Sequence, residues 1–234
     1  MKTPPVDFEA YPPFTGFPPE GIRFLRQLKR HNRREWFNAH KTEYEEFVKF
    51  PMESLIASLA GPLEKLAPGT FVHPKKSMFR IYRDTRFSKN KDPYKTHVAA
   101  IFHPKGPWQD AAGFYLHIEP GRTLLAGGIY MPDGGQLKKI RAAITRDPGA
   151  FLGVVRSRSF RKSFGQLEGD KLSRAPLGYS PDDPMIGWLK FKQFIVYNEW
   201  PEGAAAKKNF TGLVMSVYGK MLPLVCFLNN ALHR

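Results

Sequence analysis

Between Lys75 and Lys95 the chain places eight Lys or Arg against two Asp, most of them inside the stretch FRIYRDTRFSKNKDPYKTH, Phe79 to His97. Arginine offers a planar fork that meets a carboxylate or phosphate at two points, whereas lysine supplies a compact point charge. Asp84 stands between Arg83 and Arg86, where it can hold one guanidinium while the other meets a ligand. Asp92-Pro93 is a turn signal that folds Lys91 and Lys95 back toward the arginines. The segment therefore reads as a pocket for a small phosphate- or carboxylate-bearing ligand. Arg80, Arg83, Arg86, Lys91 and Lys95 supply the charge, and Tyr82, Tyr94 and His97 shape the walls. The plainer alternative is that Arg-Asp-x-Arg only pins a loop and the lysines are solvated, the common fate of exposed charge.

A second set lies on FYLHIE, Phe114 to Glu119. Alternation turns Phe114, Leu116 and Ile118 to one face and Tyr115, His117 and Glu119 to the other. Likewise Phe79 and Ile81 face inward and Arg80, Tyr82 and Asp84 outward, so the polar face is a candidate floor for a cleft. Glu119 can orient His117 as a general base, which makes this pair the catalytic candidates. His117 and Glu119 together with His97 also offer metal-ligand types, but a lone His-x-Glu on a strand is ordinarily structural, and no metal or cofactor is assigned.

The elements that position these residues follow from periodicity. Residues 1–17 read as an extended, proline-rich arm, and 18–234 as a single domain. Gly21 to Arg30 carries Ile22, Leu25 and Leu28 on one helical stripe. Asn32 with Glu35 approximates a capping box, opening a helix with Trp36, His40, Tyr44 and Phe47 or Val48 on one face. Pro51 interrupts that register, and Gly61-Pro62 ends the segment that resumes at Met52. Phe79–Arg83, His97–Phe102, Phe114–Glu119 and Thr123–Tyr130 read as strands, the last two joined through Pro120-Gly121 as a type II turn. Helix signals return with Leu137, Ile140 and Ile144, at Asp147-Pro148 through Val155, and at Ser180-Pro181 with Asp183. Lys192–Tyr197 reads as a buried strand and Asn209–Asn230 as a helix containing Pro223. The pattern predicts an α+β fold, a central antiparallel sheet flanked by N- and C-terminal helices.

The bulk numbers bound the class. The chain has 234 residues, 42% apolar and 14% aromatic, enough for a substantial core. Proline is 21 of 234, about twice the usual ~5%. A formal charge of +15 draws anions: nucleic acid, phosphorylated metabolites or anionic lipid. One cysteine, Cys226, forms neither a disulfide framework nor a Cys-based zinc site within one chain, which favours a reducing compartment. The N-terminus lacks a signal-peptide core, and the apolar run near Met221–Leu228 is too short to span a bilayer, so the expected protein is soluble, cytoplasmic and without a membrane partner. Phosphate-loop, dinucleotide, nucleophile-elbow and zinc-helix motifs are missing.

The signature at Phe79–His97, together with NRREWFNAHKTEYEEFV at 32–48, GFYLHIEPGRTLLAGGIYMP at 113–132 and RAPLGYSPDDP at 174–184, resembles an uncharacterised, largely bacterial family, domain of unknown function 2461. The resemblance covers most of the chain from about residue 20. That signature usually has Asp where this chain has Asn90; a turn-capping role is served by either. The resemblance supplies no reaction, but it raises the anion-site reading to parity with the structural one. Whether the protein is an enzyme, a hydrolase or transferase, stays open. Two alternatives stand beside the pocket: nucleic-acid binding through a broad basic surface that includes Arg156, Arg158, Arg161 and Lys162, and a structural or interaction protein whose Arg/Asp signature only stabilises the fold.

Overall fold

A computed structural model of the chain describes residues 7–86, 88–104 and 111–233. The expected arm begins outside the described residues, at 1–6. From Asp7 to Pro18 it has neither helix nor strand. It is nonetheless anchored: Phe14 N–H donates to Ser58 Oγ at 3.0 Å, Phe17 N–H to the Ala205 carbonyl at 2.8 Å, and both rings are buried.

The sheet is antiparallel, with strands in chain order: β1 (Thr70–Phe71), β2 (Val98–Pro104), β3 (Gly113–Glu119), β4 (Arg122–Ile129) and β5 (Phe194–Trp200). Helices stand at both ends, so the fold is α+β. The β3–β4 turn uses Gly121 at φ 99°, the positive φ that a type II turn demands after Pro120. The chain packs as two compact units, one of Met1–Phe102, Tyr115–Leu124 and Glu199–Met215, the other of His103–Phe114, Leu125–Asn198 and Ser216–Arg234.

In the first unit, α1 (Pro19–Arg30) starts with Pro19 at its first position and buries Ile22, Phe24, Leu25 and Leu28. α2 (Arg34–Ala39) and α3 (Lys41–Tyr44) lead through a π-helical turn, Glu45–Lys49, into α4 (Phe50–Leu66). Proline lacks the N–H that continues an i→i+4 ladder, and the π turn ends just before Pro51. Gly21 is required here. A Cβ on it would sit 2.2 Å from the Phe47 carbonyl oxygen, so α1 lies directly against the backbone of that turn.

Three expectations fail in this unit. Asn32 is not a cap: α2 is preceded by Arg33 without a side-chain capping bond, because both ends of the Asn32 amide are committed to Tyr94. The buried stripe is Phe37, Tyr44 and Val48, whereas Trp36 and His40 are half-buried and stack on each other at 4.1 Å. Gly61-Pro62 does not end α4, which continues to Leu66 with Leu63 fully buried; packing of that last turn outweighs the bond Pro62 removes.

The expected strand Phe79–Arg83 is not a regular strand. It makes two isolated antiparallel bridges, Met78 with Ala100 and Tyr82 with Tyr94. The side-chain alternation nevertheless holds, with Ile81 buried and Arg80, Tyr82 and Asp84 exposed.

The second unit contains α5 (Gly134–Arg146), α6 (Pro148–Val155), α7 (Arg158–Phe164) and α8 (Ile186–Leu189). α5 has a full capping box between Asp133 and Gln136, and Asp147 caps α6 through the Ala150 N–H. Ser180-Pro181 does not start a helix; Ser180 and Asp183 instead accept bonds from Asp182 and Met185 within a turn, and only the single turn α8 follows. α9 (Phe210–Leu232) is 23 residues, longer than the apolar run suggested, and is long and apolar enough to cross a bilayer. It fits a core helix equally well, burying Val214, Tyr218, Met221, Leu224 and Leu228.

Candidate functional site

The first unit draws the Phe79–His97 segment back on itself. Arg83 N–H bonds the Pro93 carbonyl at 2.9 Å and Lys95 N–H bonds the Ile81 carbonyl at 2.7 Å. The returning limb is docked to the start of α2: Asn32 Nδ2 donates to the Tyr94 carbonyl and Asn32 Oδ1 accepts from the Tyr94 N–H, both at 3.0 Å. The Tyr94 ring stacks on Phe37 at 4.2 Å, which fixes the limb over the helix.

Between that limb and α2 lies a hollow of about 300 Å³, lined by Arg34, Asn38, Tyr82, Arg83, Thr85, Pro93 and Tyr94. Arg34 and Asn38 are one helical turn apart on α2, so they present to the same side. Among the described residues, neither Arg34 nor Arg83 has a carboxylate within 4.0 Å. The hollow thus offers guanidinium groups beside aromatic rings.

Of the residues singled out from sequence, Tyr82, Arg83 and Tyr94 line this hollow. Others do not. Asp84 holds Arg86 with both oxygens, Oδ1 to Nε at 3.0 Å and Oδ2 to Nη2 at 2.8 Å, and the Arg86 bonds drop its carboxyl to about 2. Lys91 Nζ donates to the Thr85 carbonyl at 2.9 Å. Lys95 Nζ donates to the Arg80 carbonyl at 3.0 Å and sits over the Phe79 ring; burial, then Arg80, lowers its pKa. Arg80 is exposed and outside the lining. Asn90 Oδ1 accepts from the Asp92 N–H at 2.8 Å, a turn bond that Asp makes equally well.

His97, His117 and Glu119 form a separate group, also in the first unit. The face of β3 that carries His117 is covered rather than an open cleft floor: His117 is only 7% exposed, because the His97 ring stacks on it at 4.2 Å while Phe79 meets Tyr115 edge-on. Tyr115 Oη and His117 Nδ1 are 2.9 Å apart. His117 Nε2 lies 3.5 Å from Glu119 Oε1, an ion-pair contact, and has no hydrogen-bond partner among the described residues. Arg122 bonds Glu119 Oε1 through Nε and Glu199 Oε1 through Nη1, the latter at 2.7 Å. Burial, then His117 and Lys95, holds the His97 imidazole down to about 4. His117 is lowered too, chiefly by burial. Burial opposes charge on Glu119, but Arg122, His117 and His97 outweigh it and keep its pKa low. The donor atoms of the three residues all lie within 4.8 Å of one another.

Sequence reasoning missed Arg34, Asn38, Thr85 and Pro93 in the hollow, and Arg122 and Glu199 around the imidazoles, though alternation had put Tyr115 on the same face as His117 and Glu119. The i, i+4 spacing of Arg34 and Asn38 was a usable signal for the first set. The side chains of Arg156, Arg158, Arg161 and Lys162 are exposed in the second unit, on and just before α7.

An α+β protein with a small basic hollow and a separate histidine pair is the class these features define. The chain belongs to the family described as conserved hypothetical protein (DUF2461), whose model matches residues 20–227. No curated protein and no solved structure matches the chain.

Proposed function

We propose that the protein binds a small ligand bearing a carboxylate or phosphate next to a planar group. The anion lies between Arg34 and Arg83, and the planar part against Tyr82, which is exposed, while Tyr94 is buried and stacked on Phe37. One observation carries the reading: Arg34 and Arg83, neither with a carboxylate within 4.0 Å among the described residues, line a hollow of about 300 Å³ together with the exposed Tyr82. Paired charge-assisted donors give an anion directional bonds that solvated lysines do not. Asp84 and the lysines act behind the site, holding the loop in shape.

The test is a calorimetric titration with inorganic phosphate, phenyl phosphate and benzoate. Phenyl phosphate binds more tightly than phosphate alone, and Arg83→Ala and Arg34→Ala each weaken it by about tenfold or more, about 1.4 kcal/mol. Lys89→Ala, an exposed cation outside the lining, leaves it unchanged. Equal affinity in all three variants sinks the reading.

The purely structural alternative has its own observation, since Asp84, Lys91 and Lys95 spend their charges on neighbouring groups of the loop. It predicts that replacing Asp84, Lys91 or Lys95 with Ala lowers thermal stability while phenyl phosphate fails to bind the wild-type protein.

A further inference from the structure

The group at His97, His117 and Glu119 has a feature that the hollow does not explain. The His117 side chain is 9% exposed, yet its Nε2 has no hydrogen-bond partner among the described residues. A buried ring nitrogen without a partner costs free energy unless something occupies its lone pair. That nitrogen points toward Glu119 Oε1 at 3.5 Å, beside the ring of His97.

We propose that His97, His117 and Glu119 bind a divalent first-row transition ion, with Zn²⁺ as the simplest case. Two imidazoles and one carboxylate suit such an ion and not Mg²⁺ or Ca²⁺, which take oxygen donors. Three protein ligands leave a coordination position open, the pattern of a reactive rather than a purely structural site. The inference stands independently of the anion hollow.

The geometry asks for a modest closure. Donor atoms on a tetrahedral ion at about 2.0–2.1 Å lie roughly 3.3 Å apart, and these lie within 4.8 Å. His117 is the buried member of the three, while His97 and Glu119 are half-buried. The outer shell is in place. Tyr115 Oη sits at His117 Nδ1, where the ring N–H donates when Nε2 binds metal. Arg122, held by Glu199, bonds Glu119 Oε1, the oxygen that also faces His117 Nε2, and so sets the carboxylate beside the imidazole.

The full chain, tag-free and stripped with a chelator, is titrated with Zn²⁺ by calorimetry and with Co²⁺ by visible absorption. One equivalent binds, Mg²⁺ does not compete, and Co²⁺ gives the absorption of a nitrogen- and oxygen-ligated ion. His117→Ala and Glu119→Gln lower affinity by more than about 100-fold, and Tyr115→Phe by about tenfold, as loss of an outer partner does. His31→Ala, an exposed histidine outside the group, changes nothing. Glu119→Gln preserves size, so a folding failure of His117→Ala leaves the test intact. Failure of the wild-type protein to bind Zn²⁺, or undiminished affinity in Glu119→Gln, overturns the proposal. Loss of binding in His31→Ala alone places the ion elsewhere and overturns it too.

Discussion

Asn32 and Tyr94 exchange two hydrogen bonds, amide to carbonyl and N–H to amide oxygen, each 3.0 Å long. A single side chain thereby satisfies the backbone of one residue of the returning limb, in the manner of a β-ladder pair. Replacing Asn32 with Ala strands a part-buried donor and acceptor, at a cost of about 1–3 kcal/mol. The melting temperature falls by roughly 2–4 °C per kcal/mol for a chain of this size. Asn32→Asp keeps the acceptor but loses the donor, and falls between the two in a thermal melt.

Gly21→Ala is destabilising even though alanine favours helices. The new methyl lands 2.2 Å from the Phe47 carbonyl oxygen, which is backbone and cannot move aside alone. The expected loss is about 1–3 kcal/mol, the usual cost of overpacking, read as a lower midpoint in urea. Gly61→Ala, whose added methyl meets nothing within 4 Å, gains a little stability and serves as the comparison.

Arg83→Ala and Lys91→Ala separate binding from loop structure. Arg83 faces the hollow, whereas Lys91 ties down the Thr85 carbonyl. Arg83→Ala loses phenyl phosphate binding and keeps its melting temperature within about 2 °C, because the backbone N–H that holds the Pro93 carbonyl is retained. Lys91→Ala shows a smaller effect on binding and a larger one on protease sensitivity of the loop, measured by limited digestion.

Acid destabilises the metal-free fold. His97 titrates near 4 in the fold against an ordinary 6.5, so its neutral form is the favoured one there. A base with a depressed folded pKa contributes fully above about 6.5, and the contribution is lost as pH falls from 6.5 to 4. The charged and titratable groups facing it are His117, Lys95, Glu119 and Arg83, and His117 and Glu119 shift in the direction that loses stability in acid. Urea midpoints with chelator present therefore decline across that window, and His97→Gln flattens the decline.

Helices whose ends are written in local chemistry were legible. Asp147-Pro148 marked α6 to its last residue, Val155, because a cap and a first-position proline are decided within one turn. The β3–β4 hairpin was legible for the same reason, through Pro120-Gly121. Pro62 misled because its local penalty is overruled by burial of Leu63, which no local pattern announces. Asn32 misled because its partner is 62 residues away. At the site, Arg83, Tyr82 and Tyr94 were found from charge and alternation, but Arg34 and Asn38 reach the hollow only through the docking of α2. His97 was placed in the pocket wall and also beside His117 and Glu119 as a set of metal-ligand types; the structure stacks it on His117.

Glu202 accepts from Arg26 of α1 with both oxygens at 2.9 Å and from the Gly121 N–H at 2.7 Å. One carboxylate is thus the common tether for a helix and for the tip of the hairpin whose two strands bear His117, Glu119 and Arg122. Losing Glu202 releases the Arg26 guanidinium and the Gly121 N–H at a single stroke, while Arg122 still links the hairpin to Glu199.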